Sequence, residues 1–141
     1  MLRVDLRLRP SPEVTPIALP VNAAIHYYES QALPWERAAF VRARAAAGDR
    51  VLGRRFLDAI SPFIWRRSLD FGTVGEIRGI SRRIRQHHAQ GQSLGPGFDL
   101  KRGRGGIREI EFFTQIHQLI HGGRDPSLRA PATRDALARL A

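Results

Sequence analysis

Residues 106–121 read GIREIEFFTQIHQLIH and carry the strongest helical pattern of the chain. Apolar side chains recur there three and four positions apart, which predicts an amphipathic helix with one buried side. The members of this stripe are Phe112 or Phe113, Ile116, Leu119 and Ile120. Glycines 105 and 106 lie at the start of this pattern, and glycines 122 and 123 follow its end, so we expect a turn at each end.

Helical patterns recur on both sides of this stretch. We expect helices over about 23–32, from Pro34 to about Ala47, from Asp49 to a break or kink at Pro62, from about Thr73 to Gln90, and over about 132–141. Residues 10–22 contain four prolines and are predicted to form a loop, as are residues 91–97.

The N-terminus departs from the helical pattern. Residues 2–8 alternate between aliphatic and charged side chains, which predicts a half-buried strand that ends at Pro10. A lone strand is not stable, so its partners must come from elsewhere or from residues before Met1. The expected fold class is mainly α, a helical bundle preceded by one β-strand, and both ends of the chain look cut.

Composition limits the classes of function. The chain has 141 residues, of which 43% are hydrophobic and 26% charged, as in a soluble globular domain. It has no cysteine, which excludes disulfide scaffolds, thiolate metal sites and cysteine nucleophiles. No apolar run approaches the roughly 18 residues of a membrane span, and no secretory signal is visible, so the expected location is the cytoplasm.

The net charge of +10 is the strongest compositional feature, and all but one of the 23 basic residues are arginine. Arginine suits phosphate and carboxylate, so one interpretation is an anionic partner, either a nucleotide or a nucleic acid. The other is a solvated, arginine-rich surface from a GC-rich genome. The aromatic residues have core-like spacings, which counts against a base-stacking platform for nucleic acid.

Asp5 lies on the polar face of the predicted strand, between Arg3 and Arg7. A carboxylate at this position could bind a divalent cation, with the arginines gripping phosphates. Metal-assisted phosphoryl transfer uses carboxylates in groups, however, and the nearest one in sequence is Glu13. A cross-strand salt bridge is therefore the simpler explanation of Asp5 taken alone.

The residues GRGG at 103–106 open the strong helix. Glycines can turn backbone amides toward an anion, and a helix N-terminus adds partial positive charge, which Arg104 and Arg108 would strengthen. The stretch matches neither the dinucleotide-binding nor the Walker A pattern, and a plain glycine turn is the alternative. Glu109 could bridge to these arginines, or it could belong to a solvated face.

Two further motifs allow competing interpretations. His117 and His121 have a spacing that could bind metal, but no third ligand and no HExxH pattern accompany them, so we expect no metal there. The stretch WERAAFVRAR at 35–44 predicts either a helix that packs through tryptophan and alanine or a row of arginines aimed at phosphates.

Taken together and in order, five blocks of sequence closely resemble one family over nearly the whole chain. The blocks are VDLRLRP (4–10), YYESQALPWERAAFVRARAAAGD (27–49), PFIWRRSLDF (62–71), DLKRGRGGIREIEFFTQIHQLIHGGRDPSLR (99–129) and ATRDALARLA (132–141). The family is that of the bifunctional glutamine synthetase adenylyltransferase/adenylyl-removing enzymes, and the glycine motif with IREIEF resembles its N-terminal, adenylyl-removing half. The related uridylyltransferase of the PII protein shares the helical domain type and fits these motifs less well.

The resemblance implies two nucleotidyltransferase domains of the DNA polymerase β superfamily, each followed by a helical bundle. One half removes AMP from a tyrosine of glutamine synthetase by phosphorolysis, giving ADP; the other attaches AMP from ATP. The PII signal protein and glutamine set the balance. Residues 1–22 would then be the end of a catalytic domain, and residues 23–141 a truncated helical domain of the PII-uridylyltransferase/glutamine synthetase adenylyltransferase type.

The resemblance also assigns roles to residues. Asp5 would be the third carboxylate of a magnesium-binding catalytic triad, whose first two members belong to an Asp-x-Asp block that this chain lacks. Nucleotide or phosphate contacts would come from Arg7, Arg9, Arg104, Arg108 and Glu109. The isolated chain is expected to be inactive. Two alternatives stay open: a basic helical module for nucleic acid, and a docking domain for glutamine synthetase or PII without catalysis.

Overall fold

The computed structural model describes residues 9–68 and 95–141, together with positions 72, 75, 79 and 82. The chain divides into two compact units, Met1–Trp65 and Arg66–Ala141. All regular elements among the described residues are helices, with no strand between them, so the mainly α class is confirmed.

Two predicted elements lie largely outside the residues that the structure describes. The predicted strand over 2–8 lies outside the described residues, as does most of the predicted helix over 73–90. Both stay predictions, and so does the division of the chain at residue 22. None of the described helices is long and apolar enough to cross a membrane.

The first unit contains α1 (Val21–Ser30), α2 (Glu36–Phe40) and α3 (Arg50–Ile64). An aromatic cluster lies at its centre, where the ring of Tyr28 is 4.8 Å from Phe40, 6.0 Å from Phe56 and 5.6 Å from Phe63 between centroids. Tilted and edge-on ring pairs of this kind add about 0.5–1.5 kcal/mol beyond the area they bury. The cluster therefore joins all three helices in one core.

Helix α3 begins as predicted and ends later than predicted. The side chain of Asp49 accepts hydrogen bonds of 2.9 Å from the amides of Val51 and Leu52, so the predicted N-cap is confirmed. Pro62 does not end the helix, which continues to Ile64. Burial of Phe63 and Ile64 offsets the hydrogen bond that the proline removes.

Helix α2 is much shorter than the predicted segment from Pro34 to Ala47, since it ends at Phe40. Val41 is the last buried side chain of this stretch, so a longer helix would have no apolar stripe to bury. The alanines beyond it leave the helix, and Ala45 instead lies against Gly53 of α3, where a Cβ would come within 2.7 Å of the Ala45 Cβ.

The second unit contains α4 (Ile107–His121), a short 3-10 turn (Pro126–Leu128) and α5 (Thr133–Leu140). Both helices match the predicted segments, over about 106–121 and 132–141. Helix α5 packs on α4 and on the 3-10 turn.

A buried glutamine connects α4 with the segment that follows the 3-10 turn. Gln118 of α4 is only 2% exposed, and its Nε2 donates to the carbonyl oxygens of Leu128 at 2.7 Å and Ala130 at 2.8 Å. Gly123 follows α4 at a point where a Cβ would collide with the carbonyl group of Arg66. The chain after α4 is thus held by specific polar contacts and by a close backbone approach.

Candidate functional site

Of the predicted site residues Asp5, Arg7 and Arg9, only Arg9 lies among the residues that the structure describes. The half-buried side chain of Arg9 donates from Nη2 to the carbonyl oxygen of Pro12 at 2.7 Å. Thr15 closes the same loop, since its hydroxyl donates to the carbonyl oxygen of Ser11 at 3.0 Å. The loop after the predicted strand is therefore ordered by its own hydrogen bonds.

This loop forms one wall of a cleft in the first unit. The cleft has a volume of about 260 Å³. Its lining includes Arg9 and Pro12 from the loop, Tyr27 from α1, and Leu33, Trp35 and Glu36 from the start of α2. Trp35 is 40% exposed, so its indole ring is accessible there.

A buried carboxylate supports the floor of the cleft. Glu36 is 7% exposed, and its Oε1 accepts hydrogen bonds from the Tyr27 hydroxyl at 3.0 Å and the Leu33 amide at 2.9 Å. The bond to Leu33, three residues back, fixes the turn that precedes α2, where the Glu36 amide also donates to the Leu33 carbonyl at 3.0 Å. Burial, and next the hydrogen bond to Glu36, raise the pKa of Tyr27, so Tyr27 stays protonated and donates at neutral pH.

The arginines of WERAAFVRAR do not form a single row. Arg37 is 3% exposed, and its guanidinium lies 5.2 Å from the centre of the Phe63 ring, a cation–π contact between α2 and α3. Arg42 and Arg44 come after the helix has ended and are exposed. The helix packs inward partly through an arginine, which neither interpretation of this stretch anticipated.

The glycine turn of the second unit uses its backbone amides internally. Asp99 Oδ1 accepts from the amides of Lys101 at 2.9 Å and Arg102 at 3.0 Å. At the start of α4, the amide of Ile107 donates to the Leu100 carbonyl at 2.9 Å, and that of Arg108 to the Lys101 carbonyl at 3.1 Å. These first-turn amides are the donors that a bound anion would require.

Glu109 completes this closed turn. Its Oε2 accepts from the amide of Gly105 at 2.9 Å, and Gly105 has a φ of 75°, which favours glycine. A helix start whose amides already have partners is a structural turn, so the plain-turn alternative is the one that the structure favours. An anion could bind here through arginine side chains, but not in a cradle of backbone amides.

The predicted site residues therefore belong to two different units of the chain. Arg9 lies in the first unit, whereas Arg104, Arg108 and Glu109 lie in the second. Arg104 is exposed, while Arg108 and Glu109 are half-buried at the start of α4.

The histidines of α4 form a stacked pair. The rings of His117 and His121 are 6.0 Å apart and nearly parallel, and Phe113 lies 4.5 Å from His117. Within the described ranges there is no group of three or more His, Asp or Glu side chains that could hold a metal ion.

Sequence reasoning missed the cleft and the pair formed by Tyr27 and Glu36. The position of Glu36 could have been found, because a glutamate two residues after Pro34 fits the first turn of a helix. The cleft could not, because its lining comes from segments as far apart as Arg9 and Ala39.

Two family models match the chain. The model "Glutamate-ammonia ligase adenylyltransferase" matches residues 1–59, and the model "GlnD PII-uridylyltransferase" matches residues 78–141. The second match falls on the part of the chain for which the sequence suggested a helical domain type shared with the uridylyltransferase.

Curated relatives match the chain along its whole length. The bifunctional glutamine synthetase adenylyltransferase/adenylyl-removing enzyme of Caulobacter vibrioides is 55% identical over all 141 residues. The enzymes with this name from Brucella suis and Agrobacterium fabrum are each 52% identical, over 100% and 99% of the chain. The chain spans about 14% of the length of these relatives.

Proposed function

The chain belongs to the family of bifunctional glutamine synthetase adenylyltransferase/adenylyl-removing enzymes, and on that premise we propose that it is part of a nucleotidyltransferase that controls glutamine synthetase. The controlled group is a tyrosine, to which AMP is added and from which it is removed. The observation that carries this proposal is the 55% identity with the Caulobacter vibrioides enzyme over all 141 residues. Glutamine synthetase and the PII signal protein are the proposed partners, and the cytoplasm is the proposed location.

Within this family we assign the chain to the adenylyl-removing half, as the GRGGIREIEF motif suggests. In that reaction inorganic phosphate attacks the phosphorus atom that links AMP to the tyrosine. The bond from phosphorus to the tyrosyl oxygen breaks, the tyrosine regains its hydroxyl proton, and ADP is released. ATP is the AMP donor of the opposite reaction.

The phosphate groups of this reaction need cationic partners, and arginine provides a planar fork of donors for them. We propose that Arg7, Arg9, Arg104 and Arg108 bind nucleotide or phosphate. Glu109 would be a positioning residue, because its own carboxylate repels phosphate. It accepts a hydrogen bond from the amide of Gly105 and so fixes the turn between Arg104 and Arg108.

The family implies Mg²⁺, with Asp5 as a catalytic ligand. The described residues do not provide such a site, since they contain no group of three suitable side chains, and Asp5 lies outside them. The sequence contains no Asp-x-Asp pair, so we expect the 141-residue chain to be inactive when purified alone.

The experiment that tests the proposal starts from the native protein of the source cells. An antibody to residues 49–141 would isolate it, and its size on an immunoblot would be compared with 15.9 kDa. The isolated protein would be incubated with adenylylated glutamine synthetase and phosphate. We expect release of ADP; a product several times larger than 15.9 kDa that releases none would contradict the adenylyl-removing assignment.

Asp5→Ala in that intact protein tests the central residue. We expect de-adenylylation to fall at least about a thousandfold, because one carboxylate of a metal-binding group is lost, while the fold is retained. Glu13→Ala is the matched control, since Glu13 is an exposed carboxylate nearby in sequence. Normal turnover of Asp5→Ala would refute the role of this residue.

A further inference from the structure

Of the residues that line the cleft of the first unit, the proposed reaction uses only Arg9, which binds phosphate. We propose that this cleft receives a planar aromatic ring linked to a phosphate, either the adenine base or the phenol ring of the adenylylated tyrosine. The inference rests on the proposed function for the identity of the two rings. It names the part of the substrate that this chain itself recognises.

The size of the cleft sets the first limit. Its volume of about 260 Å³ is below the roughly 300–1,000 Å³ of pockets that enclose drug-sized ligands. It has room for a single ring system, with the rest of the ligand outside. A long aliphatic chain or a folded peptide would not fit in this space.

The walls favour a flat aromatic group. Trp35 and Leu33, which are 40% and 54% exposed, lie beside the cleft together with the ring of Pro12. When an apolar ligand covers large apolar side chains that are exposed beside a concavity, water is removed from their surface and the free energy of the system falls. An accessible indole adds a surface on which a base or a phenol ring can stack.

The charges orient such a ligand. Arg9 lies in the loop wall, and its guanidinium is positive at every physiological pH, so it attracts the phosphate. The buried carboxylate of Glu36 lines another part of the cleft and repels a phosphate there. The phosphate is therefore expected on the side of Arg9, with the ring toward Trp35.

The polar atoms beside the ring position already have partners within the fold. Oε1 of Glu36 accepts two hydrogen bonds, from Tyr27 and Leu33. The Tyr27 hydroxyl uses its proton for Glu36, and Ser11 provides hydrogen bonds to its oxygen. Either ring is therefore expected to be held by stacking on Trp35.

Chain length connects the cleft with the proposed catalytic carboxylate. Asp5 and Arg9 are four positions apart, so their Cα atoms are at most about 14 Å apart. This limit is comparable with the length of one nucleotide. A phosphate near Asp5 and a ring in the cleft can therefore belong to the same substrate.

The two tryptophans of the chain allow a direct test. Trp35 lines the cleft, and Trp65 does not. In the Trp65→Phe chain, Trp35 is the only tryptophan, and its fluorescence would be followed during titration with AMP, with O-phosphotyrosine and with inorganic phosphate. We expect saturable quenching by at least one of the aromatic phosphates and none by inorganic phosphate.

Equilibrium dialysis of the better aromatic probe then measures its affinity. Trp35→Ala should weaken binding about tenfold through the loss of stacking, while Trp65→Phe should bind as the unchanged chain does. Circular dichroism would verify that both variants fold. Quenching by AMP identifies the adenine ring and quenching by O-phosphotyrosine the tyrosine ring. Quenching by neither, or unchanged affinity of a folded Trp35→Ala chain, would overturn the inference.

A second assay separates this inference from the function on which it rests. De-adenylylation of glutamine synthetase would be measured with the intact protein and its Trp35→Ala variant. If the intact protein is active and Trp35→Ala keeps both KM and AMP affinity, the cleft inference alone fails. If the intact protein is inactive although Trp35 responds to AMP, the proposed function fails and a nucleotide cleft is still present.

Discussion

The two units of the molecule each contain a glutamate that folds back onto the backbone before a helix, and the two glutamates differ in burial. Glu36 is buried and accepts from the Leu33 amide and from Tyr27. Glu109 is half-buried, and its bond to the Gly105 amide is exposed to solvent. A similar contact between a glutamate and the preceding backbone is thus buried in the first unit and exposed to solvent in the second.

The difference in burial determines how much each carboxylate contributes to stability. A buried carboxylate that accepts two hydrogen bonds leaves two donors without partners when it is removed, and each lost partner is costly in a dry environment. Loss of a hydrogen bond that is exposed to solvent leaves an amide that water can reach. Both tryptophans lie in the first unit, so tryptophan fluorescence follows unfolding of that unit alone.

Glu36→Ala should give the largest effect on stability. We expect the free energy of unfolding of the first unit to fall by about 2–4 kcal/mol, because the Tyr27 hydroxyl and the Leu33 amide lose their acceptor. Urea unfolding followed by tryptophan fluorescence measures this. Glu29→Ala, which removes an exposed glutamate of α1, is the control and should change little. Equal effects of the two substitutions would show that the hydrogen bonds of Glu36 do not stabilise the first unit.

Tyr27→Phe should have an intermediate effect of about 1 kcal/mol at neutral pH, because it removes one hydrogen bond to Glu36. It should also change the pH dependence. The folded pKa of Tyr27 lies above the usual 10.0, so its contribution is complete below about pH 10 and is lost as the pH rises further, where the unfolded chain loses the proton first. Urea unfolding at pH 8 and pH 11 should show a smaller decline for Tyr27→Phe than for the unchanged chain.

Tyr28 provides the reference for that experiment. Burial also raises the pKa of Tyr28, and this residue is present in both chains, so the difference between them isolates Tyr27. An identical alkaline decline in the two chains would show that Tyr27 is not held by Glu36 in solution.

Glu109→Ala should have the smallest effect, about 0.5 kcal/mol, since the Gly105 amide can bond to water instead. Hydrogen exchange at the amide of Gly105 should become faster, while exchange at Leu33 stays unchanged. A loss of several kcal/mol would mean that the turn before α4 is as much a part of a core as the turn before α2.

Sequence reasoning succeeded where structure is decided locally. The apolar period predicted α4, and the side chain of Asp49 marked the start of α3. It failed for the length of α2, because helix propensity in the alanine stretch after Val41 gains nothing without a core to pack on. It also left the glycine turn undecided, since the carbonyl groups of Leu100 and Lys101 reach the α4 amides only in the folded turn.

The candidate site was predictable only in part. Arg9 was singled out by its motif, and its place in a cleft came from the structure. One of the two interpretations of WERAAFVRAR makes Trp35 a packing residue, but it is 40% exposed beside that cleft. The spacing of residues in one helix cannot show that a loop more than twenty residues earlier covers it.

The close approach at Gly123 has a consequence for how the chain tolerates random substitution. Any side chain there meets backbone atoms of Arg66, which cannot turn aside as a flexible side chain can. In a library that samples every residue at every position, we therefore expect position 123 to return only glycine. Position 48, where glycine has a φ of 68° and open space around it, should also accept asparagine or aspartate. Two glycines that are identical in the sequence would thus behave as an invariant and a permissive position.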